Sequence, residues 1–255
     1  MDGQPVIDLN ADLGEGFGVW RLGDEEALLS IVTSANIACG FHAGDPLTLR
    51  RACAHAVARG VAIGAQVSYH DLAGFGRREM DVPPDELTAE VLYQIAALDG
   101  IARAEGGRVT YVKPHGALYN RMVRDPVQAH AVVHAIVAYD RALPLLTLPG
   151  SAGWDVAADA GLPLAAEAFA DRAYTRHGAL VSRRENGSVL TDPEQVAQRA
   201  VAMVTRGTVV SADGHDVQVN PRSVCVHGDT PGAVGLARAV REALETAGVR
   251  LAPFT

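Results

Sequence analysis

Of the 22 basic side chains in this 255-residue sequence, 21 are arginines and one, Lys113, is a lysine. Basic residues form no run, and 30 acidic groups bring the formal charge to −8, which excludes nucleic acid and anionic membrane as partners. Cysteine is nearly as scarce. Cys39, Cys53 and Cys225 have no paired spacing and form no CxxC, so a disulfide framework is excluded and reduced thiols in a cytoplasm are expected. No segment reaches the apolar length of a spanning helix, and Met1–Gly14 lacks the basic and apolar regions of a signal peptide. A soluble, cytoplasmic protein is the expectation. The short nucleotide-binding signatures are missing too. Gly14-Glu15-Gly16-Phe17-Gly18 is not GxGxxG, and nothing matches GxxxxGK[ST].

What is present is an alternation of short apolar runs and longer helical patterns. The runs are Val6–Leu9, Ser34–Cys39, Val61–Val67, Val109–Val112, Leu143–Leu148, Leu162–Ala168 and Ser223–Val226, each too short for a typical helix and followed by loop formers. Helices are expected over Pro46–Arg59, Pro84–Glu105, Asp125–Asp140, Asp192–Arg206 and Pro231–Ala247, several with Asp-Pro at the start and Gly at the end. Such βα alternation implies a parallel sheet with right-handed crossovers. Seven units at this spacing suit a single α/β barrel over residues 1–255, with an open doubly wound sheet as the alternative. Turn signals predict two hairpins, at 174–191 and 208–220.

Polar residues crowd the positions that follow or end the strands, and a barrel would gather them on one face. These are Asn10 and Asp12, Asn36, His42, His70, Lys113 and His115, Glu167, Asp171 and Arg172, then His227 and Asp229. The blander roles differ by residue. Asp45 and Asp229 precede helix starts and read as N-caps, while Asp12 falls in a Gly-rich turn that it could simply stabilise. Glu167 lies in an apolar strand, where a carboxylate needs a partner or a task. Asp171-Arg172 can be read as a local ion pair, and Cys39 as a small apolar strand residue. Pro149–Gly153 reads equally as an anion cradle or a capped turn. His130 and His134 have i,i+4 metal-ligand spacing but no neighbouring Glu, and read as a solvated helix face. A lysine persisting at a strand end in an arginine-using chain suggests that a compact ammonium is wanted there for an anionic substrate.

The blocks Asp8-Leu9-Asn10-Ala11-Asp12-Leu13-Gly14-Glu15, Ser34–Asp45, Gln66–Asp71, Lys113–Tyr119, Glu167–Arg172 and His227–Pro231 together resemble the LamB/YcsF family, in order along the whole chain. Ala11 stands where many members are expected to have Cys, so no cysteine role at that position is essential here. The resemblance implies a distorted seven-stranded (β/α) barrel similar to those of glycoside hydrolases and polysaccharide deacetylases. It implies ATP-dependent opening of the lactam ring of 5-oxo-L-proline to L-glutamate, by the A component of a 5-oxoprolinase that works with 5-oxoprolinase subunits B and C. A lactam is a stabilised amide, so the reaction needs carbonyl activation by a phosphoryl group, a base for water and a proton for the ring nitrogen. On placement and charge, Asp12, His42, Lys113, His115 and Glu167 are the candidate catalytic groups. Asn10, Asn36, His70, Asp171, Arg172, His227 and Asp229 are candidate substrate contacts. Within these sets Lys113 and Arg172 are the cations for carboxylate or phosphate, Asp12 and Glu167 the bases, and the histidines the proton carriers. ATP would be a co-substrate, with the subunit that holds it left open, and a divalent metal is left open too. Two other readings stand beside this one: a stand-alone metal-dependent hydrolase with Asp12, His42 and His115 as ligands, and a non-catalytic scaffolding subunit.

Overall fold

In the computed structural model, which describes residues 4–227 and 232–255, the chain follows the order β1 (Val6–Leu13), α1 (Glu25–Leu29), β2 (Ser34–Ala38), α2 (Pro46–Arg59), β3 (Ala62–Val67), α3 (Pro84–Ala104) and β4 (Val109–Pro114). It continues with α4 (Gly116–Met122), α5 (Pro126–Asp140), β5 (Leu145–Thr147), α6 (Ala152–Asp159), β6 (Leu164–Phe169) and α7 (Pro193–Thr205). The last elements are β7 (Thr208–Val210), β8 (Asp216–Gln218), β9 (Ser223–Val226), α8 (Ala233–Thr246) and β10 (Arg250–Leu251). Strands β1 to β6 and β9 run parallel, and β9 pairs with both β6 and β1, which closes a seven-stranded barrel. The closed ring settles the choice against an open sheet. Its distortion is local: β4 meets β5 at the single pair Val112–Leu145.

Helix starts follow the predicted chemistry. Asp45, Asp125 and Asp192 each accept backbone N–H bonds at an N-cap followed by Pro, so α2, α5 and α7 begin where orphan amides are satisfied. Ser151 caps α6 in the same way, which makes Pro149–Gly153 a capped turn. His130 and His134 are exposed on α5. The 208–220 hairpin forms as the antiparallel pair β7–β8. The 174–191 hairpin does not. The segment holds two isolated antiparallel bridges, Arg172–Val189 and Tyr174–Leu180, and the Arg172 guanidinium adds bonds to the carbonyls of Val181 and Ser188.

The main correction concerns β1. It extends four residues beyond the predicted Leu9, so Asn10 and Asp12 are strand residues and not part of a turn. The alternation Asp8-Leu9-Asn10-Ala11-Asp12-Leu13 is a period-two pattern whose polar members point into the barrel. Neighbouring strands repeat it with Asn36, Gln66, Tyr111, Lys113, Glu167 and Ser223, all buried. Outward members such as Leu9, Ile37, Ala65, Val112 and Val224 join one apolar core beneath the helices. Cohesion thus comes from the strand–helix layer, and the barrel interior is free to carry polar groups.

Gly64 on β3 shows how tightly that interior is filled: a Cβ there would lie 2.2 Å from the Tyr111 ring. Gly64→Ala is expected to lower unfolding free energy by about 1–3 kcal/mol in urea titration. Gly64→Ala/Tyr111→Leu should recover part of the loss; no recovery would mean that the glycine matters for another reason.

Candidate active site

At the centre of the barrel lies Lys113. Its Nζ is 2.7 Å from Glu167 Oε1, 3.2 Å from Asp12 Oδ1, 3.3 Å from Asn10 Oδ1 and 3.2 Å from Cys225 Sγ. Four acceptors therefore surround an ammonium with three hydrogens. A polar net holds them. Asn36 donates to Asn10 Oδ1 at 2.7 Å and to Asp12 Oδ1 at 2.9 Å, Tyr111 donates to Asn36 at 2.6 Å, and Asn10 donates to Ser223 at 2.6 Å. Below them Asp8 accepts from Thr33, Ser34 and Ser223. The expectation that Lys113 serves as a free cation for an anion is corrected here, since its charge is engaged by the protein's own carboxylates.

Two carboxylates and one ammonium leave an excess negative charge in a buried place, and the environment separates the acids. Burial works against the Asp12 carboxylate, but Lys113 and the nearby histidines outweigh it and hold Asp12 well below the usual carboxylate range. Burial dominates at Glu167 and pushes it up despite Lys113. Glu167 Oε2 has no hydrogen-bond partner among the described residues. Lys113 is held well above its ordinary value by Asp12, Cys225 and Glu167 against burial.

Beside this core the His42 and His115 rings stack at 3.9 Å with 12° between planes. His42 Nε2 is 3.3 Å from Glu15 Oε1, and His115 Nδ1 is 3.1 Å from Gln66 Nε2 while its Nε2 donates to the Phe75 carbonyl. Burial pushes both histidines below their ordinary value. On the far side Asp171 receives the Nδ1–H of His227 at 2.8 Å and its backbone N–H at 3.2 Å, an acid orienting a base. Asp171-Arg172 is thus not an ion pair. Burial raises Asp171 but His227 outweighs it, so the acid stays below the carboxylate range.

A cavity of about 800 Å³ opens over these groups, lined by Asp12, Lys113, His115, Tyr119, Arg172 and His227 among others. Asn10, Asn36 and Glu167 lie beneath its floor, fully buried, and His42 lies behind His115. His70 is not brought in: it is exposed and stacks on Phe41 at 4.5 Å. Asp229 lies outside the described residues. Cys39 is buried and its thiol is pushed far up, the reverse of a nucleophile. Glu15, Gln66, Tyr111 and Ser223 belong to the site but were not among the sequence candidates. Only Glu15, between Gly14 and Gly16 in a polar turn, carried a visible signal.

Glu15, His42 and His115 offer ligand atoms that all lie within 4.8 Å of one another, a set in which Glu15 replaces the expected Asp12. Their orientation does not fit an ion. An imidazole lone pair lies in the ring plane, and two near-parallel rings aim theirs side by side and not at a common point. The His115 Nδ1 lone pair is also taken by the Gln66 amide.

A closed parallel barrel with acids, bases and a cation at the carboxyl ends of its strands has the form of a barrel-enzyme active site. The LamB/YcsF family pattern matches residues 7–255, and the chain belongs to that family. It is 63% identical over 249 residues to the A subunit of 5-oxoprolinase from Streptomyces avermitilis, covering 98% of this chain and 100% of that one. The corresponding figures for the same subunit from Mycolicibacterium gilvum are 60%, 98% and 99%. The lactam utilization protein of Thermus thermophilus superposes with a TM-score of 0.92 at 48% identity, over 96% of this chain and 98% of that one. A family 4 carbohydrate esterase from Streptomyces lividans, at 12% identity and TM-score 0.50 over 97% and 91%, shares the fold alone.

Two outcomes follow from the geometry. Purified protein is expected to carry well under one equivalent of zinc or manganese by elemental analysis, and a stoichiometric ion would overturn this account of the histidines. The second concerns pH. Burial holds both histidines below their ordinary proton affinity in the fold, whereas in the unfolded chain they take protons at about pH 6.5. Below about pH 6.5 the unfolded state binds more protons, so stability falls as pH falls, by up to about 1.4 kcal/mol per pH unit for each histidine. Denaturation between pH 7.5 and 5.5 should show this slope, and His42→Gln should flatten it. An unchanged slope would place the proton uptake elsewhere.

Proposed function

We propose that this chain is the lactam-opening subunit of an ATP-dependent 5-oxoprolinase, acting on 5-oxo-L-proline to give L-glutamate together with two partner subunits, in the cytoplasm. The observation that carries the reading is the Lys113 ammonium fixed between Asp12 and Glu167 at the floor of a cavity sized for a small substrate. The names of the close relatives and of the Thermus structural neighbour support the same chemistry.

ATP is the co-substrate of the assembled enzyme, its γ-phosphoryl group passing to the amide oxygen while ADP leaves. Water then adds to the activated carbon, the C–N bond breaks with a proton going to nitrogen, and a second water releases phosphate from the acyl group. His227 is the better base for water. Its Nδ1–H is engaged by Asp171, which leaves Nε2 as the acceptor, whereas Asp12 is held too acidic to take a proton readily. Glu167, pushed up by burial, is the proton reserve for the ring nitrogen, and Lys113, 2.7 Å from it and held charged, lines the cavity and stabilises the charge that develops as the ring opens. Asp12, with Asn10 and Asn36, keeps the ammonium in place. His115 forms a neutral wall of the cavity.

The test is glutamate release from 5-oxoproline and ATP, with and without the partner subunits. Release is expected only in the assembled enzyme, with kcat lowered about 100-fold or more by Lys113→Met, Glu167→Gln and His227→Gln. Release that stays within about threefold of the parent in all three would move the chemistry to another subunit, and no release under either condition would sink the assignment.

A further inference from the structure

We propose that Arg172 and Arg183 form an anion subsite at the mouth of the cavity that takes a carboxylate or phosphoryl oxyanion. The proposal deepens the reading above, on which it rests for the identity of the carboxylate, that of 5-oxoproline.

Of the acids that line the cavity, Asp12 is engaged by Lys113, and Glu79 by Arg121 at 3.1 Å and Arg124 at 2.6 Å. Asp171, next in sequence to Arg172, has turned to His227 with both oxygens, at 3.0 and 2.8 Å. Arg172 and Arg183 line the same cavity, and neither is within ion-pair distance of a carboxylate among the described residues. Arg172 is 5% exposed, and among the described residues its guanidinium bonds main-chain carbonyls alone, Ser188 from Nε at 3.2 Å and Val181 from Nη2 at 2.6 Å. A buried guanidinium without a counter-ion is costly, and two neighbouring cations make it more so. Burial and the Arg183 charge together pull Arg172 down to about 10. An arriving oxyanion relieves both costs.

The mounting is rigid as well. Arg199 Nη2 donates to the Arg172 carbonyl at 2.9 Å and its Nη1 to the Val210 carbonyl at 3.0 Å, so α7 and the β7 strand hold the backbone of the segment. The two carbonyl bonds fix one edge of the Arg172 plane through Nε and Nη2, which leaves Nη1 on a residue that lines the cavity. Arg183 sits on the same 171–190 segment and is half-buried, so it completes the pocket without being needed to hold the fold.

Calorimetric titration of the purified full chain tests this with three probes: inorganic phosphate, L-5-oxoproline and the neutral lactam 2-pyrrolidinone. Arg183→Gln should weaken phosphate and 5-oxoproline about tenfold and leave 2-pyrrolidinone within twofold, with an unchanged melting temperature. Arg172→Lys, which keeps the charge but loses the fork, should weaken both anions as well. The subsite is overturned if neither anion binds the parent chain, if Arg183→Gln leaves both affinities unchanged, or if it weakens all three probes alike. Phosphate binding that depends on Arg183, with no turnover of 5-oxoproline in the assembled enzyme, would keep the subsite and remove the substrate. Turnover with an unaltered KM in Arg183→Gln would do the opposite.

Discussion

The ammonium of Lys113 and the two carboxylates that face it constrain everything around them. A charge that is nearly buried must be matched by groups that are buried too, and those groups by further partners. Asp12 and Glu167 meet the charge, Asn10 and Asn36 complete the shell, and Tyr111 and Ser223 in turn satisfy the amides. The consequence is a barrel whose interior is a hydrogen-bonded net and whose apolar core is displaced to the outside of the strands. It also explains why a chain that otherwise uses arginine keeps a lysine at this position. A guanidinium is planar and larger, and does not match four acceptors placed 2.7 to 3.3 Å from one nitrogen.

Three carboxylates at the active end are separated by what surrounds them. Asp12 is held an anion by Lys113, Asp171 is committed to His227 and remains an anion, and Glu167, though 2.7 Å from Lys113, is raised by burial. Of the three it is the only one whose proton affinity exceeds the ordinary value. The result is a division of labour along the barrel. An oriented base stands on the β9 side, a proton reserve lies on β6, and the fixed cation stands on β4 between them. Neutral His42 and His115 close the remaining side without adding charge.

How much of this could be read from the residue order is decided by range. Asp-Pro helix starts and short apolar runs are local, and they placed seven strands and most helices within a few residues. The face on which Asp12, Lys113, Glu167 and His227 meet follows from strand ends in any parallel barrel. Pairings were not legible. Lys113 and Asp12 are 101 residues apart, and Asp171 and His227 are 56 apart, so nothing in the local sequence says which acid answers which base. For that reason a lysine expected to greet a substrate proved to be engaged internally, and an Asp-Arg neighbour pair proved to have turned in opposite directions. At 174–191 the turn signals yield isolated bridges and no regular ladder, and the bonds from the Arg172 side chain to the Val181 and Ser188 carbonyls could not be read locally. His70 was misplaced because its strand has already ended at Val67, and the chain carries it out to the surface.

Net charge and local charge point in opposite directions in this molecule, and the layering of the cavity shows why both matter. The −8 of the whole chain opposes association with an anion at long range, but that field is screened over about 8 Å in physiological salt. Within the cavity the ordering is by depth. At the floor the ammonium is already countered by two carboxylates, so an anionic group has little to gain by descending to it. At the mouth Arg172 and Arg183 have no carboxylate within ion-pair distance among the described residues, and there an anionic group gains most. A small acid with an amide at its other end therefore enters in one sense, its carboxylate held high and its carbonyl carried down toward His227 and Lys113. Orientation in this site comes from the placement of neutralised and unneutralised cations at different depths, and the scarcity of lysine is the sequence's trace of the neutralised one.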